Sequence, residues 1–322
     1  MTVFKYILKR VGLLVCVFII SATISFSLTR LLRPEFDAEE LGMEVDLWMR
    51  RRIAQGLDRP IHVQWWRYVR MIATDFDFGT SWQINHGMDV TEVIGRRLPP
   101  TIILSIYSMF ISIPAGIFFG IWAAIKKNKL TDHIISTGTM LFISVPSFVF
   151  AFIMQYTLGF RMGLFPVVAS SHFEAGGWFT WTMTHSLLMP TLALSFGGIA
   201  GFCRGVRAEL TEAMTSDYML LARAKGLTRS SAIRRHALRN SMVPIFPGIL
   251  GTFMGIFSGS IIIEAIFAIG GMGPLILTSI VVLDYDVFIA ATMFYLFIGL
   301  AAGIVIDMSY GFVDPRIRMG EK

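Results

Sequence analysis

The residues best able to do chemistry in this 322-residue chain are basic, and they are concentrated in one place. The run ARAKGLTRSSAIRRHALRNSMVP, Ala222 to Pro244, carries six Lys or Arg and no acid. Charge of this kind can set the orientation of a membrane protein. Topology needs only charge, however, whereas this run also holds an ordered pattern of Ala, Gly and apolar residues. His236 stands among arginines, where a metal ion would be repelled. Two acids, Glu264 and Asp307, fall near the ends of apolar runs, and each admits two readings: a structural hydrogen bond, or a substrate or proton site. Enzyme signatures are missing. The sequence contains no G-x-x-x-x-G-K-[ST], H-E-x-x-H, C-x-x-C or G-x-S-x-G. Cys16 and Cys203 lie in or at the end of apolar runs and give neither a disulfide framework nor metal spacing.

The elements that must position the basic run can be read from its punctuation. Ser216 or Asp217 can cap a first short helix, and Gly226 suits a left-handed position at its end. Thr228 or Ser230 can start a second helix, and Pro244 would open the next span from its first turn. The pattern predicts a helix–turn–helix projecting from an apolar body.

That body is a membrane protein by composition: 54% of residues are apolar and 16% charged, against about 45–50% and 25% in soluble chains. Six apolar runs approach or exceed the roughly 18 residues needed to cross a bilayer: 11–28, 101–125, 134–158, 187–203, 243–269 and 287–312. The first comes after Lys5, Lys9 and Arg10 and has no clear A-x-A site, so it reads as a retained span. Basic residues number three before it, three in 126–133, eight in 204–239 and three after 312. The alternating connections 159–186 and 270–286 hold one and none. This asymmetry places both termini and the two basic connections in the cytoplasm. It also accounts for the net charge of +6 without nucleic-acid binding. The expected organisation is a tail and first span (1–28), an external segment (29–100), a transmembrane core (101–312) holding the basic loop 204–242, and a cytoplasmic tail (313–322).

Within the external segment, Val45, Trp48, Met49 and Ile53 recur at helical spacing, as do Ile61, Trp65, Tyr68 and Ile72. Two short amphipathic helices are expected, either as interfacial anchors or as a docking surface for an external partner. Pro114 and Pro146 should bend the second and third spans, shaping the bundle or acting as a hinge. Gly251, Gly255 and Gly259 make a G-x-x-x-G-x-x-x-G stripe that predicts close helix packing in the fifth span. The Gly-Gly-Met-Gly-Pro run after Glu264 suggests a tight turn or re-entrant segment.

Taken together, these features resemble the membrane-spanning permease of an ABC importer of the peptide and nickel group. The basic run is similar to that group's version of the cytoplasmic EAA loop. Further resemblance lies in GLDRPIHVQWWRYV, DFGTSW, RRLPPTIILS, ISVPSF, EAIFAIGGMG and DPRIR, which cover most of the chain in order. GLDRP in a large first external loop points to the oligopeptide permease B-like type. The resemblance implies an all-α integral membrane protein with six transmembrane helices, the type I importer permease fold, in a bacterial or archaeal cytoplasmic membrane. It implies no catalysis and no cofactor on this chain, with ATP and Mg held by two cytoplasmic ATPase subunits. A second homologous permease, an external substrate-binding protein and membrane lipid complete the implied partners. The ATPase-docking role falls on Leu221, Ala222, Arg223, Ala224, Lys225, Gly226 and Leu227, then on Arg234, Arg235, His236, Arg239 and Asn240. One position departs from the general pattern: where the EAA loop places a Glu, this chain has Leu220. A secondary transporter would want midplane acids and an internal repeat, neither of which is clear here. The substrate that the resemblance implies is a di- or oligopeptide, with nickel or another small solute as the alternative.

Overall fold

The structure, a computed structural model, describes residues 3–31, 45–54 and 56–313. The DPRIR motif and the rest of the expected tail beyond Val313 lie outside the described residues. Fifteen α-helices in chain order carry the described fold, joined by one short two-stranded ladder. They belong to two compact units, one built from 98–274 with the residues from 301 onward, the other from residues up to 97 with 275–300.

In the second of these units, α1 (Val3–Leu31), α2 (Val45–Ala54) and α3 (Ile61–Asp75) lead into a short ladder. The sequence pattern for α3 has a clear outcome. Pro60 sits at its N-cap, Phe76 ends it in the left-handed region at φ 55°, and Tyr68 points inward. Tyr68, Trp65 and Ile72 pack on Ala22, Phe26, Ile289 and Met293. The Phe26 ring lies 5.2 Å from Trp65 and 5.4 Å from Tyr68. On α2, by contrast, Val45, Met49 and Ile53 are exposed. The ladder pairs β1 (Thr80–Ser81) with β2 (Met88–Asp89) and was not expected from the sequence. Its turn is held by buried Asp284, which accepts from Ser81 Oγ at 2.7 Å and from the backbone N–H groups of Trp82, Gln83 and Ile84. Arg30 pairs with Asp286 at 2.9 Å.

The larger unit takes most of α4 (Val90–Ile125), then α5 (Leu130–Ser144), α6 (Ser147–Met154), α7 (His172–Ala175) and α8 (Trp181–Thr215). A wide π turn, Gln155–Arg161, continues α6. The chain goes on through α9 (Asp217–Ala224), α10 (Arg229–Ala232), α11 (Leu238–Ser241), α12 (Phe246–Met254) and α13 (Ile261–Ile266). The last helices are α14 (Met272–Val281) and α15 (Tyr285–Val313).

Among the described residues, four helices are long and apolar enough to cross a membrane: 8–31, 90–125, 181–215 and 285–309. Two bent pairs raise the number to six if each is one span. The third expected span, 134–158, is therefore not one straight helix. It breaks between Ser144 and Ser147 with a bend of 95°, because Val145 is extended ahead of Pro146. A proline disfavours the α region for the residue before it, which is the position Val145 occupies. The fifth expected span, 243–269, is also not one straight helix: α12 ends at Met254, a 3-10 turn follows at Gly255–Phe257, and α13 starts afresh at Ile261. Arg229–Ser241 and Phe246–Phe257 meet at 51°. The first arm carries Arg229, Arg234, Arg235 and Arg239, a charge density that hydrocarbon would not accept. Pro244 lies in the intervening turn, and Pro247, not Pro244, stands in the first turn of α12.

α8 is the spine of this unit, with Leu187, Met189, Ala193, Cys203, Val206 and Leu210 all buried. α4 comes against it through glycine. A Cβ on Gly116 would stand 2.6 Å from Phe202 Cβ, and one on Gly120 would stand 2.7 Å from Val206 Cβ. Close backbone approach of this kind supplies packing where lipid offers no hydrophobic drive.

Candidate functional site

The basic run folds as a pair of helices around Gly226. α8 ends at Thr215, Ser216 is extended at φ −74° and ψ 157°, and α9 starts at Asp217. Ser216 Oγ donates to Ala213 O at 2.6 Å, so it closes the preceding helix instead of capping α9. Gly226 has φ +89°, a left-handed backbone that favours glycine, and its N–H donates to Arg223 O at 3.0 Å. Thr228 then caps α10, its hydroxyl accepting from Ser231 N. α10 continues through a π turn, Ile233–Ala237, into α11.

Both helices rest on an apolar base. Met219 and Ala222 of α9 and Ala232, Ile233 and Ala237 of the second helix pack on Ala124, Leu210 and Ala213. Leu227 of the turn is half-buried on the same base. The 6% exposure of Ala222 removes it from any docking face: its methyl group is spent inside this chain. The outward face is made by Leu221, Arg223, Ala224, Lys225 and the turn at Gly226. Leu220 adds to it at 67% exposure and Leu221 at 57%, unusual for large apolar side chains, and the cations Arg223 and Lys225 follow them. Arg234, Arg235, His236, Arg239 and Asn240 are exposed on the second helix. The helix pair is thus a braced platform with a mixed apolar and cationic surface.

The acid Glu264 is placed quite differently. It is fully buried, and Thr101 Oγ1 at 3.0 Å, Ser260 N at 3.3 Å and Gly273 N at 2.9 Å all donate to its carboxylate. Thr101 Oγ1 in turn accepts from Met272 N at 2.8 Å. This knot fixes the tight EAIFAIGGMG turn against the start of the second expected span. Three glycines make room for it: a Cβ on Gly259 or Gly271 would collide with Glu264 and Thr101, and one on Gly273 would stand 2.6 Å from Ile261 Cα.

The expected glycine stripe is corrected by the same geometry. Gly251 lies in α12 beside Ile306, Gly255 begins a 3-10 turn, and Gly259 has φ +60°, so the three do not share one helical face. Nothing among the described residues lies within 4 Å of a Cβ on Gly255. Close packing falls to Gly116 and Gly120, whose G-x-x-x-G spacing was there to be read. Asp307 lies inside α15 and is half-buried, while Pro146 caps α6 at the break.

Sequence reasoning also passed over Asp132, Gln155 and Thr101. Gln155 Nε2 donates to Val167 O at 2.9 Å and Ile266 O at 2.8 Å, stitching the 159–186 connection to α13. A lone polar residue in an apolar run was the only signal for it. Among the described residues, no three His, Cys, Asp or Glu side chains come together to hold a metal.

Comparison with known proteins adds to this geometry. The profile of the binding-protein-dependent transport system inner membrane component family matches residues 116–319. The dipeptide transport system permease protein DppB of Lactococcus lactis is 37% identical over 98% of this chain and 99% of its own length. The protein of the same name from Bacillus subtilis is 32% identical over 99% of both. Among solved structures, an amino acid ABC transporter with histidines matches 68% of this chain and 94% of its own, with a TM-score of 0.51 at 15% identity, which speaks for the fold alone. With the family match spanning most of the platform-bearing unit and full-length relatives above 30% identity, the chain belongs to the binding-protein-dependent transport system inner membrane components, as a non-catalytic, multi-pass permease subunit of an ABC importer whose ATP hydrolysis lies on separate subunits.

Proposed function

We propose that this permease imports di- or oligopeptides, and that α9 with its turn is the element through which an ATPase subunit drives it. The substrate class is supported by the relatives named as dipeptide permeases. The observation that carries the coupling reading is the exposed Leu220–Leu221 pair on a helix braced from below. In this reading both termini and the two basic connections face the cytoplasm, where the partner ATPases bind ATP and Mg. A second homologous permease supplies the other half of the path, and an external binding protein delivers the peptide.

The mechanism needs little chemistry from this chain. An ATPase that closes on ATP carries the docked α9 with it, and the push must reach the spans without being absorbed. A firm turn at Gly226 and an apolar base shared with α4 and α8 transmit a rigid-body displacement, where a flexible linker would not. The peptide contacts few specific side chains, so one path can pass varied sequences.

The test is Gly226→Val. A Cβ there meets nothing within 4 Å, so the penalty comes chiefly from the positive φ, of order 1 kcal/mol or more for a β-branched residue. The variant should insert and assemble at normal levels yet lose dipeptide uptake and substrate-stimulated ATP hydrolysis. Replacing Arg234 and Arg235 by Gln should give a milder defect. Normal transport by the Gly226 variant, with loss in the Gln variant, would mean that the run acts through charge alone.

A further inference from the structure

Beneath the platform lies a cluster of charge that takes no part in the docking surface. Asp132, in the first turn of α5, is 1% exposed. Arg207 of α8 meets it with two parallel bonds, Nε to Oδ1 at 2.6 Å and Nη2 to Oδ2 at 2.8 Å. The remaining acceptor capacity is taken by Asn128 N, 2.9 Å from Oδ2, and Ser136 Oγ, 3.2 Å from Oδ1. Asn128 is in the left-handed region at φ 63°, which bends the connection between α4 and α5 so that its N–H faces the carboxylate. A forked pair of this kind fixes orientation as well as distance.

Buried ion pairs are weak contributors to net stability, so the meaning of this one lies in the elements it joins. Arg207 stands one helical turn before Leu210, which together with Ala213 and Ala124 forms the base under α9 and the second helix. Asp132 stands at the head of the helix that leads to the break at Pro146. The pair therefore fastens the 126–133 connection to the helix that carries the platform.

We propose that Asp132 and Arg207 are positioning residues for energy coupling: they lock α5 to α8, so that a displacement delivered to the platform moves both helices as one body. Without the lock, α8 slides against α5 and part of the stroke is lost between them. The proposal rests on the reading of α9 as the coupling element.

The test uses the whole transporter, with its ATPases and binding protein, reconstituted in lipid vesicles. The readout is the number of ATP molecules hydrolysed per dipeptide taken up. Asp132→Asn and Arg207→Gln should each raise that ratio by about three- to thirtyfold, the range expected for residues on a coupling network. Arg207→Lys, which keeps the charge but loses the fork, should fall in between. The paired variant, Asp132→Asn with Arg207→Gln, leaves no lone buried charge and should resemble either single change instead of summing them. If a single variant fails to assemble, the paired variant decides. An unchanged ratio there, with uptake falling only in step with the amount of complex, overturns the proposal. Failure of the paired variant to assemble also overturns it, because the pair would then serve folding and not coupling. Leu220→Asp with Leu221→Asp, measured alongside, separates the two readings. If the platform variants uncouple and the ion-pair variants do not, only the lock is wrong. If the platform variants transport normally, the coupling reading falls as well.

Discussion

Gly116 and Gly120 give α4 its approach to α8, with Phe202 and Val206 in the space that a methyl group would need. Overpacking a close contact of this sort costs about 1–3 kcal/mol. Gly120→Ala should therefore lower the thermal stability of the detergent-solubilised complex and its yield. Gly255→Ala meets nothing within 4 Å among the described residues and should stay within about 0.5 kcal/mol of the parent. Gly271→Ala is expected to be the most damaging of the three, since its methyl group would fall on the Glu264 carboxylate and Thr101 hydroxyl. Equal melting temperatures for all three proteins would refute the packing account of these glycines.

At the scale of the element, α3 shows how one amphipathic helix is held. Its buried Tyr68 packs on Phe26, and burial, reinforced by the nearby Asp286, pushes the phenol well above its ordinary pKa. The Tyr68 hydroxyl is buried without a hydrogen-bond partner among the described residues. Deleting a buried polar atom that has no partner is close to neutral or favourable. Tyr68→Phe should thus match or exceed the parent in thermal unfolding, whereas Tyr68→Ala should lose about 3 kcal/mol or more. A marked loss in the Phe variant would mean that the hydroxyl does have a partner in the assembled transporter. The break at Pro146 is the complementary case. There a single residue type, acting on the residue before it, ends a helix that the apolar run alone would have continued.

For the whole molecule, the count of Lys and Arg predicts topology. In a background lacking Cys16 and Cys203, single cysteines at positions 46, 85 and 174 should react with an impermeant reagent from outside, and cysteines at 128 and 230 should not. Labelling of 230 from outside would overturn both the orientation and the cytoplasmic docking surface. Retained labelling at 46 and 85 alone would leave the platform's side of the membrane undecided by charge, so 174 and 230 are the informative pair.

The sequence by itself determined the features that local rules govern. Apolar runs defined the helical membrane body, because span length is fixed by bilayer thickness. The helix–turn–helix of the basic run was legible because Gly226, Thr228 and the absence of β-branched runs act within a few residues. The order of short motifs carried the family. Only the tertiary structure decided which glycines pack closely, since G-x-x-x-G at 116–120 and at 251–259 look alike in sequence and differ in the neighbours that stand opposite. It decided that Ala222 faces inward, and that Thr101, Ser260 and Gly273 meet on Glu264, with Thr101 163 positions away. It likewise brought Asp132 to Arg207, 75 residues apart. Such pairings depend on which helices become neighbours, and no spacing along one chain encodes that.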